Sequence, residues 1–326
     1  MPSADPGPRR RPRSRPRPFP RRRARISSEL AEALVSRSGR SLEQLAQDAE
    51  GAEGGLGLVP LPGSQVTLNL AVNRHTILGT NVMAMIEGSD PALRDEVVII
   101  GAHHDHNGAT ETEIFNGADD DGSGTVGVMA IAEAYARAAE RGDTPRRSVI
   151  FAIWDAEERG LLGAWYYTLR PLFPLQSTVA NLNMDMIGRH EEVPAGGGGR
   201  FRGLAVQSAE SNANATNLLG YSRTPELAGI VEGSNRYGLT LRMRYDNNES
   251  NLLRRSDHWP FLQNGVPAVW FHNGLHPDYH TANDTADRVE YEKMTRIVRL
   301  VHETSWRLAN LDGRPAVEGM GPRPRS

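Results

Sequence analysis

The chain has 326 residues, enough for one large domain or two smaller ones, and its formal net charge is −3. It contains no cysteine, which excludes disulfides, thiolate metal sites and a cysteine nucleophile. No apolar run reaches the roughly 18 residues that a membrane-spanning helix needs, so no membrane span is expected.

Residues 1–25 form an arginine- and proline-rich head that holds ten arginines and one acid. Taking these from the totals of 37 basic and 40 acidic residues leaves 27 and 39, so the remainder of the chain is acidic. The head has almost no apolar residues and lacks the apolar middle of a secretory signal, which predicts a disordered tail. A nucleic-acid-binding arm is the alternative. The acidic body argues against nucleic acid as the main partner.

The next segment differs in composition from both the head and the body. Residues 26–50 contain helix-forming residues with a Gly-Arg-Ser break, and residues 51–63 are rich in glycine and proline. We therefore expect a short helical appendage and linker over 26–63. The main domain is expected over 64–311, followed by a disordered tail over 312–326.

From residue 64 onward, short β-rich runs alternate with helical patterns. The predicted strands and further elements are 66–72, 80–88, 96–103, 147–154, 178–188, 201–208 and 267–274, and the predicted helices are 123–140, 160–170 and 291–310. Several strands are almost continuously apolar, as is typical of strands buried on both faces. The alternation predicts an α/β domain with a largely parallel, mixed sheet and helices on both faces.

Histidines and acids follow the ends of several predicted strands. They are His103, His104, Asp105, His106, Asp119, Asp120, Asp121, Asp155, Glu157, Glu158, Asp185, His276, Asp278, His280 and Asp284. Sites in such sheets form beyond the carboxyl ends of strands, so these side chains are expected to lie together. Singly, each is compatible with a helix cap or a solvated turn.

Taken together, so many carboxylates in one place are costly unless a divalent cation compensates their charge. Histidine with carboxylate, without thiolate, suits zinc and also manganese or cobalt. Other catalytic patterns are missing from the sequence, which has no H-E-x-x-H, no G-x-S-x-G elbow and no Walker loop. The glycine-rich run at 195–200 is expected to be a flexible turn.

Six motifs resemble, in the same order, those of the M28 metallopeptidases: GAHHDH, NGADDDGSG, WDAEERGLLG, NMDMIG, RRSDHWPF and HPDYHTANDT. The resemblance covers about residues 65–311 and implies the α/β/α sandwich of the zinc exopeptidases. It also implies a peptide substrate and two Zn²⁺ ions per chain, for which Mn²⁺ or Co²⁺ are possible substitutes. The most direct expectation is a co-catalytic di-zinc aminopeptidase, with carboxypeptidase activity left open.

The resemblance assigns roles to individual residues. The implied metal ligands are His103 and Asp185 for one ion, Glu158 and His280 for the other, and Asp120 as a bridge to both. A cis peptide bond after Asp120 is also implied. Asp105 would fix the ring of His103, and Glu157 would act as the catalytic base. Asp257 and His258 would contribute to the substrate pocket.

The sequence departs from the family pattern at two places. His104 and His106 add imidazoles beside His103, although only one ligand is needed there and the family register favours His103. Some relatives carry a tyrosine three residues before the Ser-Asp-His triplet at 256–258, where this chain has Leu253. The segment 26–63 is too short for an intact protease-associated domain, so it is expected to be at most a remnant.

Two other functions fit the same fold. One is a glutaminyl-cyclase-like acyl transferase with a single working zinc, which the complete ligand set disfavours. The other is a receptor-type relative that has lost its metals, although no ligand is missing here. Relatives are mostly exported, whereas this sequence shows no signal peptide.

Overall fold

A computed structural model describes residues 26–51, 60–61, 63, 65, 67, 71, 73 and 75–318, and the chain divides into two units, 1–76 and 77–326. The head at 1–25 and most of the predicted strand at 66–72 lie outside the described residues. In the first unit, helices α1 (Ser28–Val35) and α2 (Leu42–Gly51) occupy the segment expected to be helical. Helix α1 begins at a cap, because the Ser27 hydroxyl accepts a 3.2 Å hydrogen bond from the Leu30 amide.

The second unit is built around a seven-stranded sheet. Its strands are β1 (Val82–Ile86), β2 (Val97–His103), β3 (Ser148–Trp154), β4 (Thr178–Met184), β5 (Ala215–Leu219), β6 (Thr240–Arg242) and β7 (Ala268–His272). Their spatial order is β1-β3-β2-β4-β7-β5-β6. The β1–β3 and β5–β7 pairs are antiparallel and the other four are parallel. The predicted largely parallel, mixed sheet is confirmed.

Helices cover both faces of this sheet. They are α3 (Gly124–Glu140), α5 (Pro225–Ser234) and α7 (Tyr291–Asn310) on one face, and α4 (Leu162–Leu169) and α6 (His258–Gln263) on the other. Within β2, Val98 and Ile100 join the first apolar cluster, whereas Val97 and Ile99 join the second. Successive side chains of a strand point to opposite faces, so a continuous apolar run fills two cores. Each fully buried side chain of this size stabilises the fold by roughly 1.5–3 kcal/mol. None of the helices in the described ranges is long and apolar enough to cross a bilayer.

Some elements differ from the prediction. The sequence patterns did not indicate β5, α5, β6 or α6, and β5 contains the polar residues Thr216 and Asn217, which hide its strand character. The predicted element at 201–208 is a loop that makes one isolated bridge, between Val193 and Gln207. In α3, the apolar residues Val126 and Met129 are more than half exposed, because the helix packs through the opposite side.

The residues after α7 are attached to the domain as far as 318, whereas the sequence predicts a disordered tail that begins at residue 312. Arg147 is fully buried and donates hydrogen bonds to the carbonyls of Leu308 and Gly313 at 3.0 and 3.1 Å. Its Nε also pairs with Glu96 at 2.7 Å. The guanidinium of Arg147, directly before β3, therefore connects the start of this strand to the carboxyl end of α7 and to the segment that follows. Residues 319–326 lie outside the described part.

We expect Arg147→Ala to lower the free energy of unfolding by roughly 3–5 kcal/mol, because it removes the buried donor of two carbonyls and one ion pair of the Glu96 carboxylate. Arg137→Ala is the matched control, since Arg137 is 68% exposed and pairs with Glu133 on the same helix. That loss should stay below about 0.5 kcal/mol. Urea unfolding of both variants measures the difference, and equal losses would contradict the anchoring role of Arg147.

Candidate metal centre

Four parallel strands deliver the predicted site residues to one edge of the sheet. His103 ends β2, Asp120 lies in the loop between β2 and α3, and Asp185 directly follows β4. Glu157 and Glu158 lie in the turn after β3, and His280 lies in the loop after β7. Because β3, β2, β4 and β7 are mutually parallel neighbours, their carboxyl ends meet at this edge.

Asp120 lies at the middle of the cluster, with its two carboxylate oxygens directed at different histidines. Its Oδ1 is 3.3 Å from Nε2 of His103, and its Oδ2 is 3.0 Å from Nε2 of His280. The residue is only 3% exposed. The peptide bond between Asp120 and Asp121 is cis, as the resemblance implied.

Around this carboxylate, the donor atoms form two groups. The first contains His103, Glu157 and Asp185, and the second contains His106, Asp120, Glu158 and His280, each with one donor atom per residue within 4.8 Å of the others. In the first group, Nε2 of His103 lies 3.8 Å from Oδ2 of Asp185. In the second, Nε2 of His280 lies 3.1 Å from Oε1 of Glu158.

The donor set fits a zinc-like ion in both groups. Ligands about 2.0–2.2 Å from a tetrahedral ion are separated from each other by about 3.4 Å, close to the spacings found here. Nε2 of His103 is buried and has no hydrogen-bond partner among the described residues. A buried nitrogen without a partner is costly in the absence of a ligand, so this atom is suited to coordination.

Asp105 holds several parts of the site in place. Its backbone carbonyl oxygen lies 3.0 Å from Nδ1 of His103, so a proton on Nδ1 would leave Nε2 free to face the first group. Its carboxylate accepts hydrogen bonds from the amides of Glu157 and Glu158, at 2.8 and 3.2 Å. One residue therefore orients a candidate ligand and the backbone of the acidic pair.

The three acids at 155–158 have different targets. Asp155 accepts a 2.6 Å hydrogen bond from the Thr80 amide and so anchors the segment before β1. Glu157 belongs to the first donor group and Glu158 to the second. Ala156, between Asp155 and Glu157, adopts a left-handed backbone with φ 56°, which costs a non-glycine residue roughly 1–2 kcal/mol.

Burial and neighbouring charge shift the protonation equilibria of the site. Burial raises the pKa of Asp185 to about 7, and the nearby Asp120 carboxylate adds to the rise. Burial likewise raises the pKa of Glu157 well above its usual range. For His280, burial opposes the charge, but Asp120 and Glu158 outweigh it and raise the pKa to about 9. Protonated imidazoles thus offset part of the carboxylate charge when no cation is bound.

Three residues support the site in roles that the sequence did not assign, although Asp121 and Asp284 were among the acids expected at this edge. The Asp284 carboxylate accepts hydrogen bonds from the amides of Asp119 and Asp120, at 3.0 and 3.1 Å, and fixes the loop before α3. The Ser256 hydroxyl donates a 2.5 Å hydrogen bond to Asp185. The Asp121 carboxylate accepts a 3.0 Å hydrogen bond from the backbone amide of His103. These three residues lie inside the motifs that resemble the M28 metallopeptidases. Sequence alone, however, does not distinguish a metal ligand from a carboxylate that accepts hydrogen bonds from backbone amides.

The two residues predicted for the substrate pocket do not line the cleft. Asp257 and His258 are both 0% exposed, because they lie at the start of α6, beneath the site. Burial lowers the pKa of His258 to about 3, so its ring is neutral. Leu253, at the position of the tyrosine in some relatives, packs in the apolar core below.

A cleft opens between the two donor groups. It has a volume of 30 Å³ and is lined by Asp120, Glu157, Glu158, Asp185, Tyr279, His280 and Arg255, among others. A water molecule needs about 10–15 Å³ of such space, so the cleft has room for about two or three. A larger, mostly apolar cavity of 560 Å³ lies beside β1 and α4 and contains none of the predicted ligands.

Comparison with known proteins gives consistent similarities. The model for peptidase family M28 matches residues 81–305. A probable glutamate carboxypeptidase from Arabidopsis thaliana is 30% identical over 241 residues, which is 69% of this chain and 30% of that protein. A probable leucine aminopeptidase from Aspergillus fumigatus is 30% identical over 206 residues, covering 62% of this chain and 35% of the relative.

Among solved structures, a zinc aminopeptidase from Bacillus subtilis superposes with a TM-score of 0.53 at 20% identity, covering 69% of this chain and 49% of that one. At this identity the likeness establishes the fold. The chain spans about a third of the length of the two curated relatives just described.

Proposed function

The chain belongs to peptidase family M28, and from this membership we propose that it is a co-catalytic di-zinc exopeptidase, with an aminopeptidase as the first candidate. Peptides are the proposed substrates. The proposed ligands are His103 and Asp185 for one ion, Glu158 and His280 for the other, and Asp120 for both. Relatives named as zinc enzymes support the choice of metal.

One observation carries this proposal: the two oxygens of Asp120 face two separate groups of donors. A carboxylate that bridges two cations needs this arrangement. A single metal would leave one buried group of acids without a compensating charge, which is costly. The pair of sites therefore favours a di-metal peptidase over a cyclase with one working zinc.

The protein's own residues divide the reaction between them. Bound metals would polarise the scissile carbonyl and lower the pKa of the attacking water. Glu157, buried beside the first group, takes the proton from that water and passes it to the leaving amine. Asp105 holds the Glu157 amide and so keeps the carboxylate in position. Tyr279 lines the cleft and is the candidate to assist at the carbonyl in place of the tyrosine that Leu253 replaces.

Carboxypeptidase activity is the second candidate, and one residue favours it. Arg255 lines the cleft and is exposed, so its guanidinium is available to a substrate carboxylate. The four carboxylates that line the cleft are already assigned to the metals and to the base, so they do not decide between the two activities. The relative named as a leucine aminopeptidase supports the aminopeptidase as the first candidate.

Blocking one end of a short peptide at a time separates the two activities. We expect N-acetylation to abolish hydrolysis, because an aminopeptidase acts on a free N-terminal amine, whereas C-terminal amidation should change kcat/KM by less than about tenfold. The measurement is kcat/KM for a series of matched peptides. The reverse pattern would identify a carboxypeptidase, and a lack of turnover with any peptide would contradict the proposed function.

A further inference from the structure

The two additional histidines after β2 point in different directions. His104 is exposed, and its Nε2 lies 3.1 Å from the carbonyl oxygen of Thr80, away from the site. His106 turns toward the second donor group. Its Nδ1 lies 3.0 Å from Oε1 of Glu158 and 3.9 Å from Oδ2 of Asp120. Of the two, only His106 reaches the candidate metal centre.

The ring of His106 is buried without a conventional partner. Its side chain is 9% exposed, and neither ring nitrogen has a hydrogen-bond partner among the described residues. Nδ1 of His106 and Oε1 of Glu158, which lie 3.0 Å apart, can therefore both face one cation. Burying an imidazole in this way is unfavourable unless another group binds its nitrogen.

The backbone of the neighbouring loop fixes the position of this ring. Gly117 packs directly against it, and a Cβ atom at position 117 would lie 2.6 Å from Cγ of His106. Gly117 also has φ 61°, a conformation that glycine adopts without strain. The loop that carries Asp120 thus leaves room for an imidazole beside the second group.

We propose that His106 is a fourth protein donor to the second metal, so that the two halves of the centre are unequal. This inference rests on the proposed function. The second ion would be held by His106, Asp120, Glu158 and His280, whereas the first would have His103, Asp120 and Asp185. The donor spacings of 3.0–3.9 Å around His106 are compatible with a tetrahedral shell, whose donors lie about 3.4 Å apart.

Unequal donor numbers have a chemical consequence. A zinc ion with four protein donors has a closed shell, as in structural sites, while one with three keeps an open position, as in catalytic sites. The closed site would bind its ion with the higher affinity and would fill first. The open position would then belong to the first group, which contains the proposed base Glu157.

Metal titration of the apoprotein tests this asymmetry. In isothermal calorimetry with Zn²⁺, the wild-type protein should bind two equivalents in separate steps. His106→Ala should weaken the tighter step by about 100-fold or more, beyond the 10–100-fold typical of residues that only support a ligand. His104→Ala is the matched control and should leave both steps unchanged, because that ring faces Thr80.

The visible spectrum of the Co²⁺ protein provides a second measurement, which reports on the wild-type protein as well as on a variant. The first equivalent bound to wild-type protein should give the intense absorption of a four-coordinate ion, and His106→Gln should lose it. Weak, six-coordinate absorption in the wild type, or unchanged affinities in the His106 variants, would overturn the inference. Those results would leave the proposed peptidase function intact. The peptidase function is contradicted by a different result, namely a wild-type protein that binds metal but hydrolyses no peptide.

Discussion

Glu157→Gln is expected to lower kcat by about 10²–10⁴-fold while both metals stay bound, the usual scale for losing a general base. The glutamine side chain has nearly the same size as that of glutamate. The backbone N–H of residue 157 still donates its hydrogen bond to the Asp105 carboxylate. The glutamine side chain has no basic oxygen to take a proton at neutral pH. Since Glu157 is 8% exposed, bulk solvent is poorly placed to replace it.

The neighbouring glutamate provides a matched comparison. Glu158 lies 3.1 Å from Nε2 of His280, within the second donor group, so Glu158→Gln should weaken one metal. Excess zinc should then partly restore its activity, whereas zinc should not rescue Glu157→Gln. Metal content and kcat are measured for both variants side by side. Loss of a metal from Glu157→Gln, with two retained in Glu158→Gln, would show that the roles are reversed.

The centre of the sheet could be predicted from sequence because its strands are buried on both faces. The runs at β2 and β3 are almost continuously apolar, since each strand contributes to two cores. Strand β5 lacks this signal because Asn217 is fully buried as a hydrogen-bonding residue. Its amide donates to Glu191 at 3.2 Å, which makes a polar residue stable inside the sheet. A pattern of apolar residues does not reveal such long-range pairs.

The candidate site shows the same division between local and long-range information. Residues at the ends of strands, such as His103 in β2 and Asp185 directly after β4, were predicted because a strand end fixes where these side chains lie. The segment after His103 is irregular, so sequence periodicity does not distinguish His104 from His106. Their different directions depend on Thr80 and on the loop at Gly117, which are remote in sequence. The supporting role of Ser256 likewise depends on its contact with Asp185 in the folded chain.

Removing the metals is expected to abolish hydrolysis and lower the melting temperature, and zinc should restore both. Activity should vanish because carbonyl polarisation and water activation both depend on the ions. Stability should fall because a ligand that binds only the folded state stabilises it, by about 2.7 kcal/mol at 100 times its Kd. The loss should not unfold the domain, since most of its strands and helices pack in apolar clusters away from the centre.

The charge balance of the apoprotein limits the expected loss of stability. With the cations absent, the Asp120 carboxylate still lies beside His103 and His280, and it helps to raise the pKa of both rings. Two imidazolium ions thus replace part of the lost charge, and zinc binding must displace their protons. Calorimetric scans of apo and zinc-loaded Glu157→Gln are the control, because that variant should show the wild-type thermal shift without activity. Turnover in protein that elemental analysis finds free of metal would contradict the metallopeptidase mechanism, whereas an equal melting temperature with and without zinc would show that no cation binds among these carboxylates.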